Sequence, residues 1–78
     1  MQKFRVWVNV PNNAVRSGYL SARAVHHHPA QMQTLPWTKN AAIFDSLHDA
    51  EDAIRVRGWT VSTSVQSQTT AYACEVAQ

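Results

Sequence analysis

The chain has a single cysteine, Cys74, and only two glycines, Gly18 and Gly58, among its 78 residues. One thiol excludes an internal disulfide, so the fold is not a secreted scaffold held together by bridges. Two glycines leave no Gly-rich loop to cradle a phosphate, and no Ser-His-Asp arrangement stands in a recognisable context. Charge is also scarce, at 15% of residues. The net balance of +2 lacks the concentrated cations of a dedicated nucleic-acid binder and argues against an acidic mimic of nucleic acid. No apolar run approaches the roughly 20 residues of a membrane span. Residues 1–7 carry no signal-peptide core, so a reducing cytoplasm is the expected setting.

What is present is enough for one small domain covering residues 1–78. A hydrophobic content of 45% is too high for a disordered chain. At this length about 60% of the unfolded surface is buried, which predicts modest stability.

The clearest local signal is a helix over residues 46–57. Ser46, with Asp49 three positions on, resembles a capping box, and Asp45 is the rival cap. Leu47, Ala50 and Ile54, with Ala53 beside them, form a narrow apolar stripe. Acidic residues sit in the early turns and Arg55 and Arg57 in the last, which complements the helix dipole. Gly58 is the expected left-handed stop.

Strand-like alternation flanks this helix on both sides. Phe4, Val6, Val8 and Val10 share one face of residues 3–10, while Lys3, Arg5, Trp7 and Asn9 share the other. A second strand is expected over about 19–27. There Leu20, Ala22 and Ala24 oppose Tyr19, Ser21, Arg23 and Val25. Residues 26–42 hold three histidines, two prolines and Trp37 without a period. They read as a loop with some extended pairing, at about 31–35 or 41–44. Two more strands are expected at 59–65 and 71–76. In the last, Tyr72, Cys74 and Val76 form one face and read as core. The predicted fold is α+β: a two-layer ββαββ arrangement with one helix packed on a mainly antiparallel four-stranded sheet.

Few residues suggest chemistry. His26 and His28 share a side of an extended chain, with His48 or Cys74 as possible companions. Zinc sites draw on three or four converging ligands in recognisable pairs, and none accompanies this run. No metal and no cofactor are expected. Cys74, on an apolar strand, reads as a buried packing residue rather than a nucleophile. The carboxylates Asp45, Asp49, Glu51 and Asp52 read as caps and dipole partners, not as an acid–base pair. The chain is therefore expected not to be an enzyme.

The sheet face away from the helix is more suggestive. Arg5, Trp7, Tyr19 and Arg23 would meet there, with Trp37 and Lys39 from the long loop. Trp, Tyr and Arg are enriched at interaction hot spots, and the same set can stack on bases while neutralising phosphates. The competing reading is that Trp7 is shielded by the long loop, or by Trp37, in a second small core.

In format, with under 80 residues, a ββαββ order, the phrase Phe44-Asp45-Ser46-Leu47 leading into Ala50-Glu51 and Ala53-Ile54, and no catalytic motif, the chain resembles small phage and mobile-element accessory proteins, among them compact anti-CRISPR proteins. The resemblance implies a non-enzymatic protein-binding domain. Such a domain would occlude a surface of a bacterial defence or nucleoprotein complex in the host cytoplasm. The alternative is a small nucleic-acid-binding module using the same face. A homodimer through an exposed strand edge is a further expected partnership, and no membrane is involved.

The absence of paired ligands around the histidines makes a direct prediction. Chelator treatment should leave the thermal melt of the untagged protein unchanged. Stoichiometric zinc, with a melting temperature that drops on chelation, is the contrary result.

Overall fold

The computed structural model describes residues 2–11, 17–23, 34–35, 37, 40–64 and 66–76. Its centre is the strand Lys3–Asn9 (β1), whose alternation of apolar and polar side chains suits a strand covered on one face. Gly18–Leu20 (β2) and Thr34–Leu35 (β3) follow, then the helix Leu47–Arg55 (α1), Thr60–Val61 (β4) and Thr70–Val76 (β5). The spatial order is β3-β2-β1-β5-β4. Seven residue pairs join β1 to β5 antiparallel, from Lys3 opposite Val76 to Asn9 opposite Thr70. The β1–β2 and β2–β3 pairs are also antiparallel, and β4 runs parallel to β5. Among the described residues, the architecture is thus one full helix, α1, packed on a mainly antiparallel sheet. The described sheet has five strands rather than the expected four, because the long central segment contributes β3.

Several boundaries differ from the sequence reading, each for a local reason. The second strand stops at Leu20; residues 24–27 of that expectation lie outside the described residues, and Ala22 and Arg23 take helical backbone where a strand was expected. Neither has a strand preference to resist this. The edge of β1 that β2 gives up is taken by the approach to the helix. Phe4 and Phe44 exchange backbone hydrogen bonds of 2.9 and 2.8 Å, and the Ala42 N–H donates to the Leu20 carbonyl at 2.9 Å. Ser21 bridges Ala41 in the same region. Both places at which the long segment was expected to pair therefore do so, at 34–35 and at 41–44.

The strand expected over 59–65 is only Thr60–Val61. Serines end it: the Ser64 N–H donates to the Ser62 hydroxyl at 3.1 Å, and the Ser64 carbonyl accepts from the Thr70 hydroxyl at 3.0 Å. A parallel connection ordinarily needs about a dozen residues or more. Here the ladder is two pairs long, so the chain has little distance to travel back.

The helix ends are built as their sequence suggests. Ser46, not Asp45, is the N-cap, its side chain accepting from the Asp49 N–H at 3.1 Å. At the other end the Trp59 N–H reaches the Ile54 carbonyl at 3.4 Å, and the Gly58 N–H reaches the Arg55 carbonyl at 2.9 Å. With Gly58 at φ 77°, these bonds make a Schellman stop that only glycine adopts without strain. Trp59 then folds back against the core, completing the hydrophobic contact typical of that motif.

The core consists of Val6, Val8, Leu20, Ala50, Ile54 and Ala71, all fully buried, with Phe4, Val10, Phe44, Trp59, Val61 and Ala73 packed against them. Two expectations are corrected. Leu47 is 49% exposed. Side chains lean toward a helix N-terminus, so a residue in the first turn projects past the sheet, and the buried stripe is Ala50, Ala53 and Ile54. Cys74 and Tyr72 are not core residues either. They stand opposite Arg5 and Trp7, so they share the face away from the helix. The small Ala71 and Ala73 face α1 instead.

This division predicts unequal effects for the two large aliphatics of the helix. Ile54→Ala should cost about 2–4 kcal/mol, as for a filled core site. Leu47→Ala should cost under about 0.5 kcal/mol, the range of an ordinary surface change. Urea denaturation of both variants checks the assignment.

Candidate functional site

The candidate site is the sheet face away from α1, built on β1, β2 and β5. The two-residue period puts Arg5 and Trp7 on this face once Val6 and Val8 enter the core. The β1–β2 register sets Tyr19 directly opposite Trp7. The two rings meet edge to face, with centroids 4.9 Å apart and an interplanar angle of 81°. Such a pair adds about 0.5–1.5 kcal/mol beyond the area it buries. The Arg5 guanidinium carbon lies 4.5 Å from the Tyr19 ring centroid, within cation–π range. All three side chains are half-buried. The Arg5 Nε is closed to solvent and has no acceptor among the described residues. The Tyr19 ring lies against that cation.

A chain of hydrogen bonds holds the other side of Trp7. Its indole N–H donates to Asn9 Oδ1 at 2.9 Å, and Asn9 Nδ2 donates to Thr70 Oγ1 at 3.3 Å. The Thr70 hydroxyl donates onward to the Ser64 carbonyl at 3.0 Å. Asn9 and Thr70 are buried polar residues, so each bond satisfies a group that would otherwise be costly. The relay ties β1 to β5 and to the turn after β4, and it fixes the orientation of the indole.

β5 extends the face with Tyr72 opposite Trp7 and Cys74 opposite Arg5. Burial pushes the Tyr72 phenol up, aided by the neighbouring Cys74 and Tyr19. Burial also raises the Cys74 thiol, against smaller opposing effects of Arg5 and a backbone hydrogen bond from Trp7. A thiol held protonated is a weak nucleophile. Lys3, at the end of the face, is engaged in an ion pair with Asp45.

Three of the expected site residues, Arg5, Trp7 and Tyr19, come together. Arg23 does not join them as a strand neighbour. The chain leaves extended conformation at Ala22, so Arg23 is exposed on helical backbone beyond β2. Trp37 is 52% exposed just past β3, which does not fit it as the cover of a small core. Lys39 lies outside the described residues, as do His26, His27 and His28. Among the described residues no group of three or more His, Cys, Asp or Glu side chains converges. Sequence reasoning missed Tyr72, Asn9 and Thr70. Tyr72 was visible in the alternation of residues 71–76, but the register that assigns its face was not.

Comparison with family models, with curated proteins and with solved structures finds no match to the chain. Among the described residues no helix is long and apolar enough to cross a membrane.

The raised thiol and phenol carry a pH dependence. Both are acids whose folded pKa lies above the unfolded value, so the unfolded state releases the proton first. Their contribution is complete below the unfolded values, about 8.5 for a thiol and about 10 for a phenol, and is lost as pH rises through the folded ones. Stability should therefore fall on going to alkaline pH. Tyr72→Phe and Cys74→Ser should each flatten part of that decline in urea midpoints measured from pH 7 upward.

Proposed function

We propose that this chain is a non-enzymatic binding domain that engages a protein partner through its open sheet face. The observation that carries this reading is the Arg5–Tyr19–Trp7 contact group on the side away from the helix. A guanidinium and two large rings held in mutual contact have already lost most of their rotamer freedom. Binding through them then costs less ordering entropy than binding through mobile side chains. Residues of these three types dominate binding energy at protein interfaces. Tyr72 enlarges the surface on the β5 side. The finer reading, carried by the resemblance of the chain's format to anti-CRISPR proteins, is inhibition of a bacterial defence or nucleoprotein complex by surface occlusion in the cytoplasm.

A nucleic-acid reading of the same face has one observation in its favour. The described strand positions on this face include Lys3 and Arg5 and no carboxylate. Lys3 is already paired with Asp45, however, which leaves Arg5 as the cation available there. One cation is thin support for a phosphate backbone, so a protein surface is the preferred partner.

The test is binding to purified RNA-guided defence complexes, with Arg5→Ala and Trp7→Ala measured beside the parent chain. Each variant should weaken binding at least about 30-fold, the equivalent of a hot-spot loss of about 2 kcal/mol. Each should retain the parent's circular dichroism. Affinity should change little between low and moderate salt. A slope of about −0.9 per phosphate contact marks the nucleic-acid reading instead. Folded variants that bind as tightly as the parent refute the open face as the site.

A further inference from the structure

The second edge of β5 is unfinished. The Ser62 N–H donates to the Ala71 carbonyl at 2.9 Å, so the backbone groups of Ala71 point toward β4. With a two-residue period, those of Ala73 and Glu75 point to the same side. The β4 ladder ends at Ala71, and among the described residues no backbone group pairs with Ala73 or Glu75 there. A five-residue stretch, 72–76, is therefore paired to β1 on one edge and, among the described residues, open on the other. The opposite edge of the sheet is differently placed, since β3 is two residues long and is followed in sequence by Pro36. Proline and lysine are common devices that blunt an edge against pairing. The 72–76 stretch has neither.

We infer that this edge pairs with the same edge of a second copy of the chain, antiparallel and centred on Cys74. The sequence of the stretch is self-complementary in that register. Ala73 meets the second copy's Glu75 twice, as pairs whose outward N–H and C=O groups exchange both hydrogen bonds. No like charges are opposed, which an alignment of Glu75 on itself would bring about. Tyr72 meets Val76, an aromatic–β-branched pair of the kind that stabilises neighbouring strands. Cys74 meets itself at a non-hydrogen-bonded position, where Cα atoms are about 4.5 Å apart. That separation is within the range a disulfide spans. The two-fold axis lies perpendicular to the sheet, so both helices fall on one side and both Arg5–Tyr19–Trp7 groups on the other. The pairing makes one continuous face from two, and it holds whatever that face binds.

The test uses the full chain. Sedimentation equilibrium under reducing conditions should show a concentration-dependent monomer–dimer equilibrium. Glu75→Pro should weaken the dimer at least tenfold with an unchanged thermal melt, because the N–H it removes faces outward and serves no bond to β1. Copper phenanthroline, which takes two electrons and two protons from a thiol pair, should cross-link the parent through Cys74. That yield should rise with protein concentration. A chain that stays monomeric up to millimolar concentration overturns the inference. So does a dimer that forms no Cys74 cross-link, or one indifferent to Glu75→Pro. If the proline variant fails to fold, the concentration dependence of the cross-link decides alone.

Discussion

The seven-pair ladder between β1 and β5 is the constraint on which everything else rests. β1 and β5 are the two seven-residue strands and lie side by side within the sheet, and the odd and even residues of β1 assign the two faces of the whole sheet. Because Val6 and Val8 turn toward α1, Ala71 and Ala73 must follow on β5, and Trp7 and Tyr72 must lie on the far side. A one-residue slip would exchange every side chain of β5 between the faces. It would put Tyr72 and Cys74 under a helix whose contact stripe has room only for Ala71 and Ala73. The close approach of Ala50 and Ala53 to the sheet therefore enforces the register as much as the hydrogen bonds do.

This also explains how much of the fold was readable in the sequence. The helix was readable because its signals are local: Ser46 bonds three residues away, and Gly58 adopts a backbone region that only glycine enters freely. The faces of β1 were readable because a run of Phe and Val has one interpretation. β5 was not, because both of its faces carry apolar residues, and the larger ones were assigned to the core by size. What decided the matter was the space left by a helix distant in sequence. The shortness of β2 was hidden for the same reason. Its lost pairing is taken up by Phe44 and Ala42, which strand propensity within 19–27 cannot reveal. The candidate site followed this pattern. Arg5, Trp7 and Tyr19 came from local alternation, whereas Tyr72 and Asn9 became members through partners some 60 positions away, as in the Asn9–Thr70 bond.

The open face is unusual in being firmly held without being fully buried. Trp7 is fixed from one side by Tyr19 and from the other by Asn9, whose own amide is anchored by Thr70. A buried polar chain of this kind stiffens its surroundings as long as every member is satisfied. Arg5 is the exception, with a shielded Nε and a ring as its chief companion. The surface thus combines rigid rings with a cation that has not used all its hydrogen-bonding capacity.

The placement of β1 and β5 at opposite ends of the chain has a consequence for biosynthesis. β1 is made early and β5 late, so the central ladder forms only after nearly all the described chain has been synthesised. Until then Phe4, Val6, Trp7 and Val8 form an apolar, strand-prone segment without its principal partner, the kind of window that seeds aggregation. Lys3 flanks that segment and Arg5 interrupts it with positive charge, the placement by which sequences guard unavoidable hydrophobic strands. In the nascent chain these two cations repel other copies of the same segment. In the folded protein one has been paired with Asp45 and the other laid against Tyr19.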